Sequence, residues 1–476
     1  MSLMNVAGLA LFIALVGLGC NQSSGKAVNG GAEITLDSTR RFQTIVGWEA
    51  TVQAGQDLPG FSRYRDSVYA LAVDELGINR LRLEVGSSVE NTTDYQTLFN
   101  TGVITREEWL CNRYATANDD ADPNHINEAG FRWASFDRKV EQVVLPLKRR
   151  IEANGEKLYL NLNYVAFATR VCKGKEYHHI DPEEYAEFIV AVVTHLKEKY
   201  SLVPDALEII LEPDNTRQWK SGTILGHAII SVTRRLKAAG FPLEIIAPST
   251  KRASEAVPYL RDIAKVPGAI EQVTEFSYHR YGGASKEEVR AIAAETKRYG
   301  RRAAMLERIG SGYQDLHVDL EIGNNSAWQQ YVLAFPNNRS GDLRGETYVM
   351  LNVSDTLKPV VRISERSRYL RQYFRYVRRG AVRLGASSSE KQFQPLAFVN
   401  SDGRHVVVIK ADQGGAFTVR NLPPATYGIS FTTADSSAAT EHNVTKGAIL
   451  SASIPDAGVI TVFARPAAGP GFGARR

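Results

Sequence analysis

From residue 43 onward, short apolar runs rich in β-branched residues alternate with longer segments in which apolar positions recur every three or four residues. That alternation of period two and period 3.6 is the pattern of a βα repeat. Gln43 to Trp48 predicts a first strand and Ser62 to Leu76 a helix; Asn79 to Val85 predicts a second strand, with a polar insert to about Arg132 and a helix from Phe136 to Ala153. Lys157 to Tyr164 is the third strand, and its helix, Pro182 to Lys199, opens at an Asp181-Pro182 start signal. Ala206 to Leu211, Leu243 to Pro248, Val273 to Tyr278 and Arg302 to Leu306 continue the series, and Thr347 to Val353 is expected as the eighth strand before a closing helix over Arg366 to Val377. The prediction is an α/β fold, a (β/α)8 TIM barrel over residues 43–378, whose reactive groups belong at the C-terminal strand ends.

After Gly380 the period shortens. Runs such as Pro395 to Asn400, Arg404 to Lys410 and Val459 to Ala464 alternate and are separated by turn residues such as Ser401-Asp402-Gly403. An attached antiparallel β-sandwich domain is expected over 379–465, with residues 32–42 supplying an N-terminal strand to it and 466–476, rich in Gly, Pro and Ala, a disordered tail.

The N-terminal segment stands apart from both. Val6 to Gly19 is a short apolar run ending at Cys20, and 21–31 is polar and Gly-rich, so residues 1–20 are expected as an export signal and 21–31 as a flexible linker. The run resembles a lipoprotein signal, which implies lipidation of Cys20 and attachment to the outer or cytoplasmic membrane; no Lys or Arg precedes it, and simple secretion is the alternative. Either reading exports the protein to the periplasm, cell surface or medium. In an oxidising compartment Cys111 and Cys172, the two remaining cysteines, are expected to pair, two separate thiols being the alternative.

Composition narrows the function. The net charge of +5 arises from 57 basic and 52 acidic residues mixed along the chain, and no basic stripe with interleaved aromatics points to nucleic acid. The densest basic run, seven arginines between Arg362 and Arg379, has the apolar spacing of a helix and reads as its solvated face. His178, His179 and His279 lack the paired strand-end spacing of a metal-dependent barrel hydrolase, and Gly310-Ser311-Gly312 is a lone turn-like run, so neither metal nor cofactor is expected. A monomer is expected.

The candidate chemistry lies in two strand-end carboxylates 95 residues apart, Glu212 in Ile209-Ile210-Leu211-Glu212-Pro213 and Glu307 in Ala304-Met305-Leu306-Glu307. Two carboxylates aimed at one cleft are the minimum equipment for glycoside cleavage, one giving a proton and the other attacking the anomeric carbon. Between them, at the end of the sixth strand, stands His279-Arg280-Tyr281, placed to donate hydrogen bonds to a nucleophile.

A Glu-Pro at the fourth strand, a His-x-Tyr at the sixth and a Glu at the seventh resemble the clan of retaining (β/α)8 glycoside hydrolases. With Gln43 to Glu49, Arg80-Leu81-Arg82 and a small sandwich tethered at both ends, the chain is most similar to glycoside hydrolase family 30. The resemblance implies a retaining glycosidase acting on a polysaccharide or oligosaccharide through a glycosyl-enzyme, with Glu212 as acid/base and Glu307 as nucleophile. It implies that Arg82 bonds Glu307 or a sugar hydroxyl and that His279 and Tyr281 line the site. Two positions depart from the family pattern. Leu211 stands where it has the Asn that contacts the sugar 2-hydroxyl, for which Asn163 or Asn215 is a substitute. Trp48-Glu49 replaces a Phe-Gly pair, so Glu49 is expected at the cleft mouth as a sugar-hydroxyl acceptor or a partner for Arg82. Trp48, Tyr164, Trp219 and Trp328 are candidate sugar platforms. Leu211 also keeps open a catalytically inactive, carbohydrate-binding lipoprotein derived from that fold.

Overall fold

The computed structural model describes residues 31–167, 172, 175–336, 346–445 and 447–465. Cys20, the signal and linker segments and the tail over 466–476 lie outside the described residues. Strand β1 (Ala32–Thr44) leads into eight parallel strands, β2 (Gly47–Ala54), β3 (Arg80–Gly86), β4 (Tyr159–Val165), β5 (Ala206–Glu208), β6 (Glu244–Thr250), β7 (Val273–His279), β8 (Arg302–Glu307) and β9 (Asn325–Pro336). β9 pairs with both β8 and β2, which closes the barrel.

The eighth barrel strand is therefore β9 and not Thr347 to Val353, as the pattern of apolar positions suggests. Thr347 to Val353 contains β10 (Val349–Asn352), which pairs with β9 outside the ring and with β11 (Val360–Ile363). β9 escapes a period-two reading because Trp328, Gln329 and Gln330 are all buried: Trp328 faces the outer helices, Gln329 donates to Thr51 at 2.9 Å, and the Gln330 amide donates to Tyr348 at 2.6 Å. A strand buried on both faces carries no polar face to mark it.

Helices cover the outside of the barrel. The Pro182–Tyr200 helix starts at Asp181, whose carboxylate accepts from the Glu183 amide at 2.8 Å, and it buries Tyr185, Phe188, Ile189 and Val192 against the sheet. Proline at the first helical turn costs no hydrogen bond, and the aspartate cap satisfies one of the free amides. The insert after β3 holds two short helices, Tyr95–Asn100 and Arg106–Asn112, the second closed by a Thr105/Glu108 capping box. A disulfide joins Cys111, in the second of these helices, to Cys172 in the loop after β4.

Beyond the helix Glu365–Phe374, strands β12 (Val382–Ser388), β13 (Phe393–Val399), β14 (His405–Ala411), β15 (Gly415–Arg420), β16 (Ala425–Thr433), β17 (Ser437–Val444), β18 (Leu450–Ile454) and β19 (Gly458–Ala464) form a second sheet. Its order is β17-β16-β19-β14-β13-β12-β1-β15-β18. β1 is antiparallel to β12 but parallel to β15, so the sheet is mostly, not wholly, antiparallel. It wraps a core of its own that includes Ile34, Leu36, Val407, Phe417, Tyr427 and Ile460.

Candidate active site

Side chains at alternate positions of a barrel strand point inward, so β3 sends Arg80, Arg82 and Glu84 up the barrel axis in three steps. At the lowest step the Arg80 guanidinium grips Glu275 with two hydrogen bonds, of 3.0 and 2.6 Å, and also pairs with Glu49. One step up, Arg82 donates to Glu307, to Glu84 at 3.2 Å and to the Leu306 carbonyl at 3.2 Å. Asn161, which the β3–β4 register pairs with Arg82, donates to Glu208 at 2.8 Å.

Glu307 ends β8. Burial alone pushes its carboxyl up, but the Arg82 charge, the nearby His279 and the hydrogen bonds from Arg82 and Tyr281 outweigh burial and hold it below the usual carboxylate range. The Tyr281 hydroxyl donates to Oε1 at 2.8 Å, and its own pKa is raised by burial and by the Glu307 charge.

Glu212 is placed differently. Regular pairing of β5 ends at Glu208, after which single backbone bonds carry the chain: the Leu211 amide donates to Tyr164 and the Glu212 amide to Ser249. Glu212 itself has a φ of 50°, the left-handed region, immediately before Pro213. A non-glycine residue held there costs free energy that the surroundings must offset, and such strain clusters at functional sites. Here it turns the carboxylate toward His279, with Nδ1 3.2 Å from Oε1, while Asn215 donates to Oε2 at 2.9 Å. Burial lowers the His279 pKa, yet the bond to Glu212 and the Glu307 charge prevail and raise it, so the ring is biased toward its protonated form. One oxygen of Glu212, one nitrogen of His279 and one oxygen of Glu307 all lie within 4.8 Å of one another. The two carboxylates are 5% and 6% exposed, buried among donors yet open at one side.

Of the residues singled out in the sequence, Arg82, Glu212, His279, Tyr281 and Glu307 converge. Asn215 bonds Glu212. Asn163 is buried, and neither end of its amide has a partner among the described residues. Glu49 does not stand at the cleft mouth: it is fully buried low in the barrel, and its partner is Arg80 rather than Arg82. The aromatic platforms are also corrected. Trp48 stacks on Phe374 at 4.5 Å and donates to the Val377 carbonyl, and Trp328 donates to Asp319. Tyr164 bonds Tyr177 and His179, and Trp219 donates to Tyr177 at 2.7 Å. All four rings are buried on the outward face of the strands or beneath the helices, where burial of a Tyr or Trp requires a partner for its polar atom.

Sequence reading missed Tyr331. It sits midway along β9, half-buried, and the charges of Glu307, Glu84 and Arg82 all act on its hydroxyl. Only the assignment of β9 as the eighth strand would have exposed it. Leu211, at the position where an Asn was expected, is buried in a small apolar cluster with Tyr114 and Val165, packed against Phe167.

No protein-family model matches the chain, and no curated protein matches it in sequence. Solved structures do. The catalytic domain of a glycoside hydrolase family 30 xylanase C from Talaromyces cellulolyticus is 16% identical over 91% of this chain and 100% of that one, with a TM-score of 0.65. An endo-β-1,6-glucanase is 16% identical over 93% of this chain and 96% of its own, with a TM-score of 0.63. A conserved exported protein from Bacteroides fragilis is 11% identical over 90% of this chain and 100% of its own, with a TM-score of 0.66. Barrel and second sheet together thus have the fold of the family 30 glycoside hydrolases.

Proposed function

We propose that the protein is an exported retaining glycosidase acting on a polysaccharide or oligosaccharide. The observation that carries this reading is the spacing of Glu212 and Glu307, with carboxylate oxygens within 4.8 Å across a strand-end cleft. Retaining enzymes hold the two carboxyl groups about 5–5.5 Å apart, whereas inverting ones need about 6.5–9.5 Å to admit a water.

In this mechanism Glu307, kept ionised by Arg82, attacks the anomeric carbon, and the C–O bond to the leaving sugar breaks as Glu212 passes its proton to the leaving oxygen. Glu212 then takes a proton from water, which opens the glycosyl-enzyme and returns Glu307 to its carboxylate form. Tyr281 and Arg82 hold one Glu307 oxygen each, so the carboxylate is turned rather than free to rotate. A cation between Glu212, His279 and Glu307 would have to compete with the Arg82 guanidinium already bound there, so the reading needs no metal.

The burial of Leu211 with Tyr114 and Val165 puts an apolar wall beside the acid/base. It supports a sugar recognised there without a side-chain amide on its 2-hydroxyl. The alternative, a binding protein that has lost catalysis, is separated by one experiment. The mature protein is incubated with a panel that includes xylan and β-1,6-glucan, and the first-formed anomer is followed by NMR. Retention of configuration, with turnover lost in Glu307→Gln, supports the glycosidase. Saturable binding of saccharide by both proteins without turnover, or an inverted first product, sinks it.

A further inference from the structure

We infer that Asp214 is a positioning residue of the candidate active site, a clamp that holds the Glu212 turn against the end of β6; its effect on turnover rests on the glycosidase reading above. Two strained residues make such a clamp necessary. Among the described residues, five other than glycine have a positive φ. Asn324 and Asn421 are of a type that tolerates the left-handed region, and Ser201 closes the helix Pro182–Tyr200. Glu212 at 50° and Ser249 at 54° have neither reason, and they are joined: the Glu212 amide donates to the Ser249 carbonyl at 3.1 Å. A residue held there persists only where its surroundings over-determine it.

One side chain supplies much of that support. Asp214, two residues after Glu212 and half-buried, reaches the chain just beyond β6, where its carboxylate accepts from the Lys251 amide at 2.6 Å and from the Arg252 amide at 3.3 Å. Arg252 is the cap residue of the helix Ala253–Ile263 and contributes no capping side chain of its own. Asp214 thus puts a carboxylate at that helix N-terminus, where free amides and the helix dipole favour negative charge. Burial holds its carboxyl above the usual range against the pull of the two amide bonds, and the Glu212 charge adds to the rise.

Lys251 is gripped from both sides. Its amide is held by Asp214, its carbonyl accepts from the Tyr281 amide at 3.1 Å, and the Tyr281 hydroxyl in turn holds Glu307. Its Nζ donates to Asn215 Oδ1 at 3.4 Å, which leaves the Asn215 Nδ2 turned toward Glu212 Oε2 at 2.9 Å. Lys251 therefore touches the segments of both carboxylates, and Asp214 is the side chain that fixes it to the segment of Glu212. Around Asp214 stand Glu212 on its own segment, Lys251 and Arg252 beyond β6, and Glu255 and Tyr259 on the helix. Neighbouring carboxylates disfavour a double negative charge, so an ionised Asp214 works with the acid step, in which Glu212 carries the proton.

The test compares the full protein with Asp214→Asn and Asp214→Ala, on xylan or β-1,6-glucan, whichever the wild type cleaves faster. Asparagine caps a helix about as well as aspartate but carries no charge, and alanine does neither. Asp214→Ala should lower kcat about 100-fold, the scale of a catalytic group misplaced by about 1 Å, with KM within about twofold of the wild type. Asp214→Asn should recover part of that loss and fall about tenfold short of the wild type. In both variants the alkaline limb of kcat/KM should move to lower pH, because a carboxyl that loses an anionic neighbour gives up its proton more readily. A helix cap with no positioning role would lower the melting temperature and leave kcat and that limb unmoved. Amide hydrogen exchange over residues 209–216 should be faster in both variants, most in Asp214→Ala, and it is read without turnover. If the wild type cleaves nothing, the glycosidase reading falls and exchange alone decides the clamp; if Asp214→Ala does not fold, Asp214→Asn decides it. Unchanged exchange at 209–216, wild-type kcat in folded variant, or a raised KM with unchanged kcat would each overturn the inference.

Discussion

The barrel holds two guanidinium–carboxylate groups two residues apart on one strand, and they do opposite things. Around Arg80, Glu49 and Glu275 are fully buried and share one guanidinium; Glu49 Oε1 has no partner among the described residues, and burial pushes the Glu49 carboxyl up despite the Arg80 charge. Around Arg82, Glu307 is answered by a guanidinium and a phenol on its inner side and left open toward Glu212. Buried ion pairs rarely add net stability, because desolvation offsets their attraction. The lower group is a packing solution that tolerates no missing member; the upper one uses similar chemistry to hold the Glu307 carboxylate charged and turned, the state the proposed mechanism would use for attack.

The sharpest way to break this comparison is at its two anions. Glu307→Gln should lower turnover by about 10³-fold or more, the scale seen when a group that forms the covalent bond is lost, with a melting temperature near that of the wild type. If the variant instead unfolds and residual activity tracks the folded fraction, Glu307 belongs with the sealed group. Arg80→Met should do the reverse. It leaves Glu49 and Glu275 buried without their main cation, and about 3–5 kcal/mol of stability should be lost in chemical denaturation. Protein that remains folded should keep its pH profile, because Arg80 touches neither Glu212 nor Glu307.

These two groups also show what a sequence can and cannot disclose. Glu212 and Glu307 were legible because each ends an apolar run abruptly, and Arg82 because strand alternation points it the same way. The fate of Glu49 was not, since the choice between Arg80 and Arg82 as partner depends on the stagger of β2 against β3, which pairs Glu49 with Arg80. β9 escapes the sequence pattern because Gln329 and Gln330 are buried inside the fold, the Gln329 side chain donating to Thr51 and the Gln330 backbone N–H to Tyr348, and so look like a polar loop from the sequence. The aromatic residues failed as sugar platforms for a related reason. A tryptophan is apolar in body and polar at one atom, so the same residue type serves a sugar site or a helix interface, and only the N–H partner decides.

Trp219 tests that last point. Its ring is 1% exposed and packs against Tyr185 and Tyr164 while its N–H donates to Tyr177. Trp219→Ala should therefore cost about 3 kcal/mol or more in unfolding free energy, from lost packing and the cavity left behind, and leave saccharide affinity of the folded protein unchanged. A variant of normal stability with weakened saccharide binding would return Trp219 to the cleft.

The smallest effect probes how the upper group is tuned. Tyr281 gives Glu307 one of the two donors that hold its carboxyl below the usual range against the cost of burial. Tyr281→Phe removes a hydrogen bond to the charged form only, so the Glu307 pKa must rise. The acidic limb of the pH profile of kcat/KM, which follows ionisation of the free enzyme's nucleophile, should then move to higher pH, with a loss of about tenfold at the plateau, near 1.5 kcal/mol for a charge-assisted bond. The alkaline limb should move little, because Tyr281 makes no bond to Glu212 or His279. A plateau loss with an unmoved acidic limb would mean that Tyr281 acts on bound sugar and that Arg82 alone sets the charge of Glu307. The difference between the two guanidinium groups would then lie entirely in the opening toward Glu212.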